Sequence, residues 1–333
     1  MKKSKYDKND IAKFLSEKYC EEIVLIPMVE GQESQVFSFQ YKNRDYVVRI
    51  NPIIEGFKKD DYAYRNFLSS AIPIPKVIEY GTFDDNHSFC ISEKAFGITF
   101  EDSSEITVNS LLSDITNVWT SIREIDISNF TGYGKFSSKD GNAPFRSWRD
   151  CLSSVLDKQK YDWKKVQSME FVDSKLVDDL KSIFMELIQY CPEDRKLRHG
   201  DFGSNNVLVD SDVPKITAII DWDNASYGDP YYDIAGAYFW STWLMCMEKT
   251  SNYWDETLSK VPNYHERILC YQLHIGLEEI YENALDGDID TLAWCQERCR
   301  QILENKKIGF AAGHCPHKED GDITTRAPSC FPV

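Results

Sequence analysis

The stretch L-R-H-G-D-F-G-S-N-N-V-L-V-D, from Leu197 to Asp210, constrains this chain more than any other part of its sequence. It is followed by T-A-I-I-D-W-D, from Thr217 to Asp223. Each stretch combines a short apolar or β-branched run with polar residues where that run stops, which is typical of buried strands bounded by loops. We therefore expect two short strands with polar side chains held at their ends.

Three of those polar side chains have a spacing that suits phosphoryl transfer. Asp201 precedes Asn206 by five residues, and Asp221 follows the second apolar run. Phosphoryl transfer needs one carboxylate to accept the proton of an attacking hydroxyl, and an amide oxygen and a second carboxylate to hold Mg2+ against the nucleotide phosphates. The alternative is a pair of polar turns between buried strands, which would account for one loop better than for both.

The pattern H-G-D-x-x-x-x-N followed by I-D-W resembles the catalytic and metal-binding loops of the aminoglycoside phosphotransferase and choline kinase superfamily. The resemblance implies an α+β, bilobal, protein-kinase-like fold. Its small lobe would contain a five-stranded antiparallel sheet and one long helix, and its second lobe would be mainly helical. The resemblance also implies that Asp201 is the catalytic base, that Asn206 and Asp221 hold Mg2+, and that His199 braces the catalytic loop.

By the resemblance, an early hairpin is expected to bind the phosphate groups of ATP. Gly31 and Ser34 belong to E-G-Q-E-S, and a glycine at a loop tip lets backbone N–H groups approach phosphate oxygens closely. The runs from Val36 to Tyr41 and from Tyr46 to Ile50 predict the two strands of the hairpin. This stretch resembles the degenerate phosphate loop of antibiotic kinases, although a lone glycine in a hairpin is usually only a turn.

Arg49 stands where the superfamily carries the cation that binds the α- and β-phosphates. A guanidinium can span two phosphate oxygens, although an arginine in the middle of a strand could also face solvent. The amphipathic stretch from Asp60 to Ser69 predicts the helix whose acid pairs with that cation. Asp60 is the best match for this acid, and Asp61 competes with it.

A strand that ends near a hinge marks the predicted boundary between the lobes. By the resemblance, the hinge backbone from about Glu93 to Ala95 binds the adenine of ATP. We therefore predict a nucleotide-binding lobe over 1–94, and a second lobe over 95–304 that carries the catalytic, metal and substrate residues. Residues 305–333 lack apolar periodicity and predict a poorly ordered tail.

Apolar stripes at helical spacing predict core helices across 112–122, 176–187 and 269–284, whereas 131–144 is predicted to be a loop. The later segment G-D-P-x-x-D-I-A resembles a third signature of the superfamily. By that resemblance, Asp229 and Asp233 brace the catalytic loop.

The net charge of −16 argues against nucleic acid as a partner, because binding nucleic acid requires clustered Lys and Arg. Such a charge would attract a cationic small molecule, although acidity also serves solubility alone. No apolar run approaches the ~20 residues of a membrane span. The ten cysteines lack a zinc-ribbon spacing, and the basic start is not followed by an apolar run. We expect a reduced, cytoplasmic monomer.

The resemblance implies a cationic aminoglycoside as the substrate. Asn205 and Asp223, beside the two loops, are candidate substrate contacts. Trp240 and Trp243 could form an aromatic wall over a sugar ring, and core packing is the alternative for them. Two rival functions remain: a housekeeping kinase of the same superfamily acting on choline, ethanolamine, homoserine or a sugar, and a binding protein that has lost turnover. The complete set of loop residues argues against the second rival.

Overall fold

A computed structural model describes residues 6–28 and 34–308, with side chains placed as far as residue 304. The predictions for Gly31 and for the tail beyond residue 308 lie outside the described residues. The last helix continues to Ile308, so it includes the first four residues of the predicted tail. Within the described residues, no helix is long and apolar enough to cross a membrane.

The N-terminal part contains the expected five-stranded antiparallel sheet, with strand order β1-β2-β3-β5-β4. Its elements in chain order are α1 (Lys8–Tyr19), β1 (Ile26–Pro27), β2 (Gln35–Tyr41), β3 (Arg44–Asn51), α2 (Ile54–Phe67), β4 (Val77–Asp84) and β5 (His87–Glu93). The predicted hairpin is β2–β3. Its two central turn residues, Lys42 and Asn43, have φ values of 49° and 60°, and turns of this kind match the twist of the flanking strands.

Helix α2 begins at Ile54, six residues before the predicted start at Asp60. The helical pattern is weak there because Gly56 has low helix propensity. The structure shows why a glycine suits this position: a Cβ on Gly56 would lie 3.3 Å from the carboxylate of Asp223. The first turn of α2 therefore packs closely against the loop that follows the second apolar run of the signature.

The C-terminal part is mainly helical, with two small three-stranded sheets ordered β10-β9-β6 and β7-β11-β8. Its elements are β6 (Ile98–Thr99), α3 (Glu105–Arg123), β7 (Gly134–Lys135), α4 (Trp148–Ser153), α5 (Trp163–Gln167), α6 (Ser174–Leu187), β8 (Lys196–Arg198), β9 (Val207–Asp210), β10 (Lys215–Ile219), β11 (Ser226–Gly228), α7 (Tyr231–Trp240), α8 (Met245–Leu258), α9 (Tyr264–Asp286) and α10 (Ile289–Ile308). The two expected signature strands are β9 and β10, which pair antiparallel.

The three predicted core stripes fall on α3, α6 and α9, and most of their apolar residues are buried. Helix α9 packs against α6, α7 and α10 and is buried on most of its surface. The prediction that 131–144 is wholly a loop was wrong at β7, which pairs with β11. Two residues are too few to show a strand period in the sequence, so only the pairing reveals them.

Candidate functional site

The catalytic loop follows β8 and brings Asp201 and Asn206 into direct contact. The amide nitrogen of Asn206 donates to Oδ2 of Asp201 at 2.8 Å and to the Asp201 carbonyl oxygen at 3.0 Å. Both side chains are buried. The amide oxygen of Asn206 accepts no hydrogen bond from the described residues, so it can serve as a metal ligand. The backbone turns at Gly200 with φ of 89°, where a Cβ would collide with the carbonyl of Asn224.

His199 joins the two signature loops. Its Nε2 lies 3.1 Å from the carbonyl oxygen of Ile220, and its Nδ1 accepts a weak 3.4 Å bond from the Asp201 N–H. Complete burial lowers the pKa of His199 to about 4, so the ring is neutral at pH 7. A neutral ring with its proton on Nε2 satisfies both bonds. This geometry matches the bracing role expected of His199.

Asp233, in the first turn of α7, hydrogen-bonds to the backbone of the same loop. Its two carboxylate oxygens accept the backbone N–H groups of His199 and Gly200, each at 3.2 Å. Asp229 instead binds the guanidinium of Arg267 on α9 through bonds of 2.7 to 3.0 Å. Within the described part of the chain, Asp233 is therefore the only one of the two predicted bracing residues that contacts the catalytic loop directly. Asp229 anchors the start of α7 to α9.

Arg49 pairs with Asp60, which decides between the two acids proposed for it. Its guanidinium lies 2.5 Å from Asp60, whereas Asp61 bonds to Arg65 at 2.8 Å. Burial alone would lower the pKa of Arg49, but the neighbouring carboxylates raise it, so the guanidinium stays charged. The other oxygen of Asp60 accepts the backbone N–H of Trp222 at 2.9 Å. Asp60 thus links the strand cation to the loop that carries Asp221.

Asp221 lies in the cleft with a left-handed backbone, at φ of 62°. The residue is exposed to solvent, although Arg49, Asp60, Asp201 and Asp223 are close enough to interact with it electrostatically. Loss of hydration and repulsion from Asp60, Asp201 and Asp223 raise the pKa of Asp221 to about 7, against the opposing effect of Arg49. A divalent cation bound at this carboxylate would relieve that repulsion.

The donor set fits Mg2+. Asn206 and Asp221 supply amide and carboxylate oxygens, which are the ligand atoms that Mg2+ prefers. Among the described residues, no three His, Cys, Asp or Glu side chains are grouped as a ready-made metal cage. Mg2+ at phosphoryl-transfer sites commonly takes one or two protein ligands and completes its shell with phosphate and water oxygens. The arrangement therefore suits a metal that binds together with a nucleotide.

The other residues predicted to bind nucleotide lie along β2 and the hinge. Ser34, immediately before β2, accepts a 3.1 Å hydrogen bond from Asn51. Glu93 ends β5, and its backbone N–H donates to the carbonyl of Lys76 at 2.9 Å. Ala95 lies in the connection between β5 and β6. The N–H of Lys94 donates to the carbonyl of Asp45 at 3.0 Å, so the hinge N–H groups of Glu93 and Lys94 are both engaged. Adenine binding at the hinge remains a prediction.

Comparison with known proteins agrees with this geometry. The profile of the phosphotransferase enzyme family matches residues 24–258, more than half of the chain. The chain belongs to this family. A hygromycin-B 4-O-kinase from Escherichia coli is 37% identical over 305 residues, which cover 92% of this chain and 88% of the relative. The motifs E-G-x-E-S and D-F-G-S-N-N-V-L and the tryptophan-rich helix of this chain also resemble hygromycin B 4-O-phosphotransferases in particular.

Solved structures of similar proteins also have the fold of this phosphotransferase. Aminoglycoside phosphotransferase APH(4)-Ia has 37% identity and a TM-score of 0.84, over 90% of this chain and 99% of that chain. A thermostable mutant of it, in ternary complex with AMP-PNP and hygromycin B, has 37% identity and a TM-score of 0.83, over 89% and 99%. The GDP complex of aminoglycoside 2′-phosphotransferase-IIIa, at 15% identity and a TM-score of 0.66 over 90% and 100%, shares the fold. These findings confirm the predicted fold and family.

The substrate residues predicted for the phosphotransferase separate into two groups. Asn205 and Asp223 are partly exposed beside the catalytic and metal loops. Trp240 is fully buried and stacks on Trp294, with 4.9 Å between the ring centroids. Of the two alternatives for Trp240, the structure therefore shows core packing. Trp243 also packs on Trp294 but remains partly exposed. Trp240 therefore does not offer a face to substrate in this structure, and contact of Trp243 with substrate remains a prediction.

Sequence reasoning missed Lys59 of α2. Its ammonium is buried and donates to the carbonyl oxygens of Asp223 and Ala225, the latter at 2.9 Å. The surrounding K-K-D-D sequence is typical of a solvated helix face, which concealed the role. One signal was present: Lys59 lies four residues before Ala63 and eight before Phe67, and both are buried on α2.

Two carboxyl groups of α9 were also missed. Burial and repulsion from neighbouring carboxylates, including Glu278, raise the pKa of Glu279 to about 8 and that of Glu282 to about 9. Oε1 of Glu279 and Oε2 of Glu282 are buried without a hydrogen-bond partner among the described residues. Asp201 contributes to the shift of Glu279, so this part of α9 is within electrostatic reach of the catalytic loop. In the sequence, these acids resemble an ordinary charged helix face.

Proposed function

We propose that this phosphotransferase transfers the γ-phosphate of ATP to a hydroxyl of an aminoglycoside, namely hygromycin B at its 4-position, and so confers resistance to it. The observation that carries the proposal is the convergence of Asp201, Asn206 and Asp221 with the Arg49–Asp60 pair in one cleft. The 37% identity to a hygromycin-B 4-O-kinase over most of both chains supports the choice of substrate.

Each residue has a separate task in the proposed reaction. Arg49 binds the α- and β-phosphates through its two-pronged guanidinium. Asn206 and Asp221 would hold Mg2+, which neutralises charge on the transferring phosphates when bound. Asp201 accepts the proton of the substrate hydroxyl and orients that hydroxyl toward the phosphorus. Asn206 also donates to one oxygen of Asp201 at 2.8 Å, which fixes the orientation of the carboxylate.

A polycationic acceptor is favoured by the carboxylates around the cleft. Asp223 and Glu282, which are both partly exposed, can pair with substrate ammonium groups. For Glu282, such a partner would offset the burial and repulsion that raise its pKa. Choline would require only an aromatic cage and one charge. The acidic surroundings therefore favour an aminoglycoside over the housekeeping substrates of the superfamily.

A substrate panel tests the proposal. Purified protein with Mg-ATP is incubated separately with hygromycin B, kanamycin, choline and homoserine, and products are analysed by mass spectrometry and NMR. We expect a gain of one phosphate on hygromycin B alone, at the 4-hydroxyl. Efficient phosphorylation of kanamycin or choline with hygromycin B untouched would remove the substrate assignment and leave the kinase assignment. Nucleotide binding without any transfer would instead favour the binding-protein alternative.

A further inference from the structure

Two consecutive residues of α2 bind the loop that follows β10. Lys59 donates from its ammonium to the carbonyl oxygens of Asp223 and Ala225. Asp60 accepts the N–H of Trp222 at 2.9 Å with one carboxylate oxygen and the Arg49 guanidinium with the other. One turn of helix thus holds the backbone of the metal loop at three points and the phosphate-binding cation at a fourth.

Lys59 carries a buried positive charge, and its hydrogen bonds are made to the loop that follows β10. The residue is 2% exposed, and a buried ammonium is costly unless hydrogen bonds replace its water. The two carbonyl oxygens supply those bonds, and the ring of Phe136 lies 4.8 Å from the ammonium. Burial lowers the pKa of Lys59 to about 8, which still leaves it largely protonated at pH 7. A lysine that served only solubility would extend into water.

The loop needs such support because its backbone is strained at the predicted metal ligand. Asp221 has a left-handed φ of 62°, and a non-glycine residue persists there only when surrounding contacts enforce it. Gly56 allows α2 to approach the loop closely enough for Lys59 and Asp60 to reach it. The same helix therefore restrains the loop immediately after Asp221.

We propose that Lys59 is a positioning residue for Mg2+-dependent nucleotide binding. It ties the 222–225 loop to α2, so that the Asp221 carboxylate and the Arg49 guanidinium keep a constant separation. A nucleotide whose phosphates bridge Arg49 and a metal on Asp221 then meets a preorganised site. The inference rests on the proposed function in assigning Asp221 to the metal and Arg49 to the nucleotide phosphates.

The test compares Lys59→Met with Lys58→Met in the full chain. Both replace a lysine of α2 by an unbranched apolar side chain, but Lys58 is only partly buried and lies on another side of the helix. Calorimetry measures AMP-PNP affinity with and without Mg2+. We expect Lys59→Met to reduce the Mg2+-dependent gain in affinity about tenfold, as loss of a residue supporting a metal ligand does. Affinity without Mg2+ should change little, and Lys58→Met should match the wild type.

The outcomes separate positioning from simple stabilisation. A lower melting temperature for Lys59→Met with a wild-type gain from Mg2+ would overturn the inference and leave the proposed function intact. If wild-type protein itself gains nothing from Mg2+, the metal assignment fails and the inference fails with it. Should Lys59→Met not fold, Lys59→Gln decides in its place. In Lys59→Gln, loss of one hydrogen bond to a carbonyl oxygen should reduce the Mg2+-dependent gain in AMP-PNP affinity about threefold. A gain equal to that of the wild type would overturn the inference.

Discussion

The carboxylate of Asp201 is restrained at one oxygen, so its chemistry can be tested without disturbing its position. Asp201→Asn keeps the shape of the side chain and removes its ability to accept a proton. We expect kcat to fall by about 10²–10⁴-fold, the usual contribution of a general base. Steady-state kinetics measures this loss, and calorimetry should show nearly unchanged affinity for Mg-AMP-PNP. Turnover close to that of the wild type would remove Asp201 from the mechanism.

Asp221 and Asn206 are expected to act on the metal and not on the acceptor proton. Asp221→Ala removes a carboxylate that lies among Asp60, Asp201 and Asp223. Nucleotide affinity in the presence of Mg2+ should therefore weaken, and Asn206→Ala should act in the same direction. Mg2+ titrations at constant AMP-PNP measure the effect. The division of roles would be wrong if Asp201→Asn lost as much Mg-nucleotide affinity as Asp221→Ala.

His199 makes stability depend on pH in a defined direction. Its pKa is about 4 in the folded protein and near its ordinary value of 6.5 when unfolded, so the unfolded chain takes up the proton first. The stability contributed by the neutral ring is present above pH 6.5 and is lost as pH falls toward 4. The loss at pH 5 is ~2 kcal/mol. Urea unfolding at pH 7 and pH 5 should show a smaller difference for His199→Gln, and equal differences would contradict the assignment.

Single residues also show where sequence reasoning stops. The motif spacing predicted that Asp201 and Asn206 act together, and the structure places their side chains in contact. The bracing role of His199 came from the family resemblance, and the catalytic and metal roles remain predictions. The spacing could not choose between Asp60 and Asp61, which are adjacent on one helix, and only the packing of α2 turns Asp60 inward. The burial of Trp240 depends on a distant partner on α10, so the helix spacing alone left core and ligand contact equally open.

At the scale of elements, α9 contributes acids that the signature motifs do not contain. Glu279→Gln and Glu282→Gln remove charge without changing shape. For Glu282→Gln, we expect KM for hygromycin B to rise while kcat changes less, because the amide cannot pair with a substrate ammonium group. For Glu279 the pKa is raised above its ordinary value of 4.5, so its ionisation favours the unfolded chain near pH 7, and Glu279→Gln should raise the melting temperature.

The matched control for these acids lies on the same helix. Glu266, in the first turn of α9, is partly exposed and far along the helix from Glu279. Glu266→Gln should leave both KM and melting temperature close to those of the wild type. A Glu282→Gln protein with an unchanged KM would mean that this carboxyl belongs to the fold and does not meet the substrate.

Elements differ in how far the sequence predicts them. The long apolar stripes of α3, α6 and α9 and the alternating strands β2 and β3 were predictable because burial imposes a period over many residues. The start of α2 was missed because its first turn contains a glycine needed for contact with a distant loop. Strand β7 was missed because it exists only through its pairing with β11. Long-range contacts therefore decided what local periodicity could not.

At the scale of the whole molecule, the reacting groups come from distant parts of the chain and meet through α2. Arg49 lies on β3, Asp201 follows β8 and Asp221 follows β10. Asp60 and Lys59 of α2 connect the first of these to the last. The family resemblance predicted this convergence, whereas composition and periodicity alone did not. The lobe boundary between residues 94 and 95, the monomeric state and the cytoplasmic location remain predictions.

The net charge of −16 leads to opposite salt effects on the two substrates. An acidic protein attracts a polycationic aminoglycoside and repels Mg-ATP, which carries net negative charge. Added salt screens both interactions, with a Debye length of about 10 Å at 0.1 M. We therefore expect KM for hygromycin B to rise with KCl concentration, while KM for Mg-ATP stays level or falls. Steady-state kinetics over a KCl series at constant free Mg2+ measures both, with sucrose as the uncharged control. A parallel rise of both constants would show that salt perturbs the enzyme generally, and that the acidic field does not recruit the acceptor.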